Sequence, residues 1–321
     1  MKPYLVGIDM GGTFIKTAIL NREGEIIAKV EIPSEKEKGP DGVIANMCQS
    51  VVLVTEKENI NIDKVAAIGI GSPGPLNTKK GIVRNAVNLP GWIDIPLRER
   101  ISSEFNIPAN LENDANAAAY GEYWRGAGEK SKIMIAYTLG TGVGGGIIIN
   151  GHLVRGTSDG AGELGHVTVV PEGDLCACGN NGCVEAYASA TALVRRTKQK
   201  LEKGADSILN QWISEGKQLT SKLIDDARRL GDDFATEAIR ELGYYLGIGV
   251  SSAVSMLNPD AIVLGGGMMK AGQVIIDPVW EQIRRRVFKA IWESLEVVPA
   301  KLGNDAGVTG AAGLILERGV A

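Results

Sequence analysis

Apolar residues dominate Tyr4–Met10, give way to Gly11-Gly12-Thr13, and resume at residues 15–20. A second turn at residues 21–24 leads into another apolar-rich stretch at 25–30. Short runs of this kind, separated by glycine turns, predict three consecutive strands. The period then changes. Ile44, Met47, Cys48 and Val51 recur at three- and four-residue spacing, which predicts an amphipathic helix over 42–57 with Cys48 as a core thiol. Residues 65–70 read as a fourth strand that ends in the loop Gly71-Ser72-Pro73-Gly74-Pro75.

The second half begins in the same way. Residues 132–139 and 145–150 read as strands around a Gly140-Thr141-Gly142 turn, with a third strand expected at 165–170. Helices are expected over 185–203 and 232–257, and a buried strand over 261–264 runs into Gly265-Gly266-Gly267. A helix over 277–289 follows, and a last helix over 306–318 takes Asp305 as its N-cap. Each half thus opens with strand, glycine turn, strand and strand, a weak internal repeat. The expected organisation is two related α/β lobes, one formed by residues 1–114 plus 305–321 and the other by 115–304. Two lobes that each present a glycine loop suggest a cleft holding a polyphosphate from both sides.

Composition narrows the class. The length of 321 residues suggests two domains at roughly 150 residues each. Lys+Arg 34 against Asp+Glu 38 gives a net charge of −4 without a basic block, which argues against nucleic acid or an anionic membrane as partner. No apolar run approaches the roughly 18 residues of a membrane span, and an early acidic, glycine-rich N-terminus does not read as a signal peptide. A cytoplasmic location is the expectation. Glycine is unusually frequent, 42 residues, with no collagen period, so many loops must approach something closely.

Three constellations carry chemistry. Asp9-Met10-Gly11-Gly12-Thr13, with Lys16 after it, offers backbone N–H groups, a hydroxyl and a carboxylate that can hold the water shell of a metal ion. Alone it could be a plain hairpin turn. Its counterpart in the second half is the run from Thr138 through Gly140, Thr141 and Gly142 to Gly146, and neither loop has the Walker spacing. The second constellation is Glu112-Asn113-Asp114 ahead of an alanine-rich stretch. Asp114 reads either as a helix N-cap or as a general base, with Asn113 hydrogen-bonding a polar ligand. The third joins His166 to Cys176, Cys178 and Cys183, a closed four-ligand set for structural Zn²⁺. Disulfides suit it poorly, since Cys-x-Cys forms a strained ring and three cysteines leave one over. Glu163 and Glu185 flank this knuckle. His152 reads as a solvated loop residue.

With these motifs in order, the chain closely resembles the ROK family (repressor, open reading frame, kinase) of bacterial sugar kinases, and within it the glucose-phosphorylating members. The likeness runs along essentially the whole chain, including Leu264-Gly265-Gly266-Gly267 and Leu302-Gly303-Asn304-Asp305-Ala306-Gly307. It implies two RNase-H-like lobes of the actin and hexokinase type and ATP-dependent phosphorylation of the 6-hydroxyl of glucose. Asp114 would be the base. Asn113, Glu163, His166 and Glu185 would bind sugar hydroxyls, with Asn88 and the Gly74 loop closing over the sugar. Asp9, Gly11, Gly12, Thr13, Lys16, Thr138, Gly140, Thr141 and Gly142 would handle phosphates and Mg²⁺, and Gly266 and Gly267 would approach the adenosine. The resemblance also implies a homo-oligomer, a dimer or tetramer.

Other sugars for the same machinery are fructose, N-acetylmannosamine and N-acetylglucosamine. Sugar-sensing repressors of the family carry a DNA-binding helix-turn-helix ahead of the first phosphate motif, whereas eight residues precede Asp9 here.

Overall fold

The computed structural model describes residues 2–86 and 89–320. Strands β1 (Tyr4–Met10), β2 (Phe14–Asn21) and β3 (Ile26–Pro33) lead into α1 (Gly39–Glu56) and β4 (Val65–Ser72). Short strands β5 (Leu76–Asn77), β6 (Ile82–Asn85) and β7 (Ile93–Ile95) precede α2 (Leu97–Phe105), β8 (Ala109–Asn113) and α3 (Asp114–Arg125). Next come β9 (Ile133–Leu139), β10 (Val143–Ile149) and β11 (His152–Leu153), then α4 (Glu185–Ala188) and α5 (Ala190–Glu202). Helices α6 (Ile208–Ser214), α7 (Ser221–Arg229) and α8 (Asp233–Leu257) lead to β12 (Ala261–Gly265) and α9 (Gln273–Arg286). The chain ends with α10 (Lys289–Trp292), β13 (Glu296–Pro299) and α11 (Ala306–Glu317).

The first sheet has the order β3-β2-β1-β4-β8 and the second the order β11-β10-β9-β12-β13. Both therefore follow one pattern, third-second-first-fourth-fifth, so the repeat in the sequence is a repeat of topology. In the first sheet β1 pairs antiparallel with β2, and β4 and β8 add in parallel. A third, small sheet orders β5-β6-β7.

Two compact units emerge, Met1–Ile135 with Gly146–Gly162 and Ala300–Ala321, and Ala136–Gly145 with Glu163–Pro299. They are drawn differently from the lobes expected at residues 114 and 305. Helix α3 stays with the first unit because it packs on α11, and residues 146–162 stay with it as well.

The first sheet is covered on both faces, which is why β1 and β4 are nearly continuous apolar runs rather than alternating ones. On one face Val6, Ile8, Ile68 and Ile70 meet Val43, Met47 and Val51 of α1. On the other, Leu5, Leu20 and Ala67 meet Val308, Ala312 and Ile315 of α11. Cys48 packs half-buried against the α1 side, and burial pushes its thiol up to about 11, as befits an inert core thiol. In the second unit α8 packs along α9, with Leu242, Leu246 and Val250 buried on one helix and Ile275, Val279 and Ile283 on the other.

Several expectations need correction. Residues 165–170 are not a strand. Leu164–His166 form a 3-10 turn, and Val169 and Val170 both donate backbone hydrogen bonds to the Gly182 carbonyl of the cysteine knuckle. The third strand of the second sheet is instead the short β11, which contains the exposed His152. The helix expected over 185–203 breaks at Ser189, whose extended backbone ends α4 and whose side chain caps α5. Helix α9 begins at Gln273, so Pro278 lies inside it rather than in its first turn. Asp305 stands at the start of α11 without a capping bond, because its carboxylate takes both hydrogen bonds from Lys29 Nζ at 2.8 Å.

The contact between α3 and α11 is a backbone contact. A Cβ at Gly310 would overlap the Ala117 carbonyl oxygen and lie 2.6 Å from the Gly121 nitrogen. Neither neighbour is a flexible side chain that could step aside. Gly310→Ala is therefore expected to destabilise the protein by about 3 kcal/mol, the upper end for overpacking. Urea unfolding checks this through a lowered midpoint at unchanged slope.

Candidate active site

The candidate residues fall into two sets, one in each unit. In the first unit, the β1–β2 hairpin carries Gly11, Gly12 and Thr13 at its tip and sets Asp9 opposite Lys16 in register. The Gly11 carbonyl accepts from Ser34 Oγ at 2.6 Å, and the Thr13 carbonyl accepts from the Ser34 backbone N–H at 2.9 Å. In a trans peptide the C=O and the following N–H point in opposite directions. Tying these carbonyls back to Ser34 therefore turns the N–H groups of Gly12 and Phe14 the other way, the arrangement of an anion cradle. Space around Gly12 is open, with no atom within 4 Å of where a Cβ would stand.

Asp9 is half-buried at the end of β1, directly under α11. A Cβ at Gly307 would come within 2.7 Å of its carboxylate, so a larger residue at that point of the helix would displace Asp9. Burial, and then the Asp114 carboxylate, push the Asp9 carboxyl up to about 6, against the pull of Lys16.

The strand-to-helix junction shows which residue caps α3. Asn113 is the N-cap: its Oδ1 accepts from the backbone N–H groups of Ala115 and Asn116 at 3.0 and 3.1 Å. Asp114 occupies the first helical position, with its Oδ1 accepting from the Ala115 N–H at 2.8 Å. Burial raises its proton affinity, while that N–H and a hydrogen bond from the Asn113 side chain oppose the rise. The capping role thus belongs to Asn113. Gly74 lies on this unit too, at φ 91° with its Cα pressed toward the Asn85 carbonyl, so the local fold itself requires glycine there. Asn88 lies outside the described residues.

In the second unit, the β9–β10 turn repeats the device of the first hairpin. Thr138 closes β9 half-buried, and the Gly140 N–H donates to the Gly142 carbonyl at 3.0 Å. The Gly140 carbonyl accepts from the Ala190 N–H at 2.9 Å and the Thr141 carbonyl from Thr191 Oγ1 at 2.8 Å. Both carbonyls are drawn to the start of α5, which turns the N–H groups of Thr141 and Gly142 away from it. Gly266, at φ 90°, lets the end of β12 lie against the Leu139 backbone, and Gly267 beside it stands open.

The knuckle brings all four expected ligands together. The ligand atoms of His166, Cys176, Cys178 and Cys183 lie within 4.8 Å of one another. Cys178 Sγ stands 3.7 Å from Cys183 Sγ, and Cys176 Sγ stands 3.6 Å from His166 Nδ1. Tetrahedral bonds of about 2.0–2.3 Å set ligand atoms roughly 3.5–3.8 Å apart. These two pairs stand at that separation and no pair exceeds 4.8 Å, so the residues suit a tetrahedral ion such as Zn²⁺. No disulfide links these cysteines. Burial pushes the Cys176 thiol up to about 12 and raises that of Cys183. The knuckle is braced from outside. Asp174 pairs with Arg195 and Arg196 of α5, and its N–H donates to Tyr187 Oη at 2.6 Å.

Both flanking carboxylates lie against this cluster. Glu163 is exposed, with Oε2 3.9 Å from His166 Nε2, the ring nitrogen turned away from the sulfurs. Glu185 is a bridge: one oxygen lies 3.6 Å from Cys176 Sγ and the other accepts from the Val143 N–H at 2.9 Å. The knuckle is thereby coupled to the second glycine turn. Ser34, Ala190 and Thr191 have no counterpart among the residues that the sequence singles out. Each acts on the backbone of a distant segment, and nothing in its own neighbourhood of the sequence signals that.

The family model described as "ROK family" matches residues 5–318. The glucokinase of Halalkalibacterium halodurans is 38% identical over 98% of this chain and 96% of its own length. A ROK family glucokinase from Streptomyces griseus, solved with glucose and AMPPNP, is 36% identical with a TM-score of 0.82 over 97% of this chain and 98% of that one. The ROK hexokinase of Thermus thermophilus is 32% identical with a TM-score of 0.85 over 99% of this chain and 100% of that one. A match of this extent, together with two repeated glycine turns and a His-Cys knuckle, makes the chain a member of the ROK family, with its actin-like sugar kinase fold.

Proposed function

We infer that this protein transfers the γ-phosphoryl group of ATP to the 6-hydroxyl of glucose. The observation that carries the reading is at the β8–α3 junction: Asn113 caps the helix, so the cap does not account for Asp114, whose proton affinity burial raises. Full-length similarity to glucokinases supports the choice of sugar and donor.

Asp114 accepts the proton of the 6-hydroxyl as that oxygen attacks the γ-phosphorus. The new O–P bond forms as the bond to the β-phosphate oxygen breaks, releasing ADP. Such transfers depend on positioning and charge neutralisation more than on covalent chemistry. The outward N–H groups of Gly12, Thr141 and Gly142 bind phosphate oxygens, with Thr13, Thr138 and Lys16 beside them and Gly11 and Gly140 shaping the turns. Gly266 and Gly267 admit the adenosine. Asn113, Glu163, His166 and Glu185 bind the remaining hydroxyls of the sugar. Asp9 would hold the water shell of Mg²⁺, which would supply neutralisation of the developing phosphate charge. His166, Cys176, Cys178 and Cys183 would hold Zn²⁺, which would fix the loop from which Glu163, His166 and Glu185 project; a closed site of this kind has no open position for chemistry.

In a coupled assay, glucose is expected to give a higher kcat/KM than fructose or the two N-acetylhexosamines. Asp114→Asn keeps the shape and should lower kcat by roughly 10²–10⁴-fold with glucose binding and Tm little changed. Retention of more than about a tenth of wild-type turnover would remove Asp114 from the base role.

One Zn²⁺ per chain is expected by elemental analysis, and Cys178→Ser should lower both zinc content and Tm. Active enzyme with substoichiometric metal would contradict the assignment.

Asp9 supplies a pH prediction. Its carboxyl titrates near 6 in the folded chain and near 3.8 unfolded, so ionising it disfavours the fold progressively as pH rises through that window. Asp9→Asn, neutral throughout, should therefore stabilise the nucleotide-free protein at pH 7.5, by on the order of 1 kcal/mol after solvent screening. The gain should vanish below about pH 3, where the carboxyl is protonated in both states. Thermal melts across this range check it, and turnover of the variant should be lost.

A further inference from the structure

Glu112 takes no part in the mechanism above, yet it is 1% exposed at the end of β8, two residues before Asp114. Its two oxygens face different ways. Oε2 accepts from Arg155 Nε at 2.7 Å and from Arg318 Nη2 at 3.0 Å. Oε1 accepts from the Asn113 backbone N–H at 3.0 Å and from Asn116 Nδ2 at 3.2 Å. Those two donors stand on either side of Asp114 in the chain. Arg155 in turn makes a two-pronged pair with Glu317, at 3.2 and 2.9 Å. Two acids and two arginines thus form a charge-balanced cluster of low exposure, drawn from β8, the segment after β11, and the end of α11.

Clusters of this kind seldom add stability over well-packed apolar residues, because desolvation offsets the attraction. The arrangement is better explained by geometry. We propose that Glu112 is a positioning residue for phosphoryl transfer: anchored by Arg155 and Arg318, its second oxygen locks the β8–α3 junction so that the Asp114 carboxylate points in one direction. The inference rests on the reading of Asp114 as the base. Reaction rates are sensitive to such aim, since a displacement of about 1 Å can cost on the order of 100-fold.

Glu112→Gln is the discriminating change in the full-length enzyme. An amide has one acceptor oxygen where the carboxylate has two, so it serves either the arginines or the junction. The charged donors claim that oxygen, and the NH₂ group then faces the Asn113 N–H and Asn116 Nδ2 as a third donor. Expected is a kcat lowered roughly 10–100-fold, with the KM values for glucose and ATP each within about threefold of wild type, assayed well below the Tm. A merely structural residue would lower Tm and leave kcat per folded enzyme unchanged, and that result would overturn the proposal. So would a raised KM at constant kcat. Should Glu112→Gln fail to fold, Arg318→Gln removes the outer arginine alone; a kcat lowered severalfold supports the proposal, and a wild-type kcat with lowered Tm defeats it. Asp114→Asn separates the two readings. If that variant keeps its turnover, the base reading fails and this proposal with it; if it is inactive while Glu112→Gln turns over normally, only the positioning role fails.

Discussion

The backbone contact between α3 and α11 holds the first unit together at the point where its chemistry lies. Gly310 brings the two helices close enough that a single methyl group would strike the Ala117 carbonyl. Three consequences follow along α11. Its first turn, at Gly307, lies against the Asp9 carboxylate. Its middle, through Val308, Ala312 and Ile315, covers one face of the first sheet. Its end delivers Glu317 and Arg318 to the cluster around Glu112. A helix displaced by one methyl group would disturb all three, because packed interiors accommodate extra volume by shifting rather than by compressing.

The two glycine turns share one physical solution. Each has its carbonyls hydrogen-bonded to a segment behind it, Ser34 in one case and the start of α5 in the other. Because each peptide is planar and trans, the N–H groups must face outward. Space is open beside Gly12 in the first turn and Gly140 in the second, while Gly142 lies against the Glu185 carboxylate. The cradle is thus made by what holds the carbonyls as much as by the glycines themselves. In the second turn the neighbouring Val143 N–H is taken by Glu185, which also touches the cysteine knuckle. One carboxylate thereby joins the knuckle to the turn.

How far the site was legible varied with the range of the interactions. The knuckle was readable because ligand type and spacing define a metal site almost locally, and the four ligand atoms do converge. The doubt at Asp114 was of a different kind, since Asp and Asn both cap helices and the two residues are adjacent. Only the backbone conformation assigns the cap to Asn113, at φ −65° and ψ 143°. Asp305 is the reverse case, a good capping residue in the right place that pairs instead with Lys29, remote in sequence. The strand expected at 165–170 failed for a similar reason, since its hydrogen bonds go to Gly182 in the knuckle rather than to a sheet.

The sequence by itself determined the elements whose apolar period is long and regular, the position of the glycine turns, the knuckle ligands and the acidic balance that disfavours nucleic acid. These depend on neighbours a few residues apart, where local sterics and periodicity decide the outcome. Tertiary structure alone decided that α3 belongs with α11, that Ser34 and Thr191 orient the two turns, and that Glu112 is neutralised by Arg155 and Arg318. Those pairings join residues separated by up to 206 positions, and a buried charge has no preferred partner until the fold removes it from water.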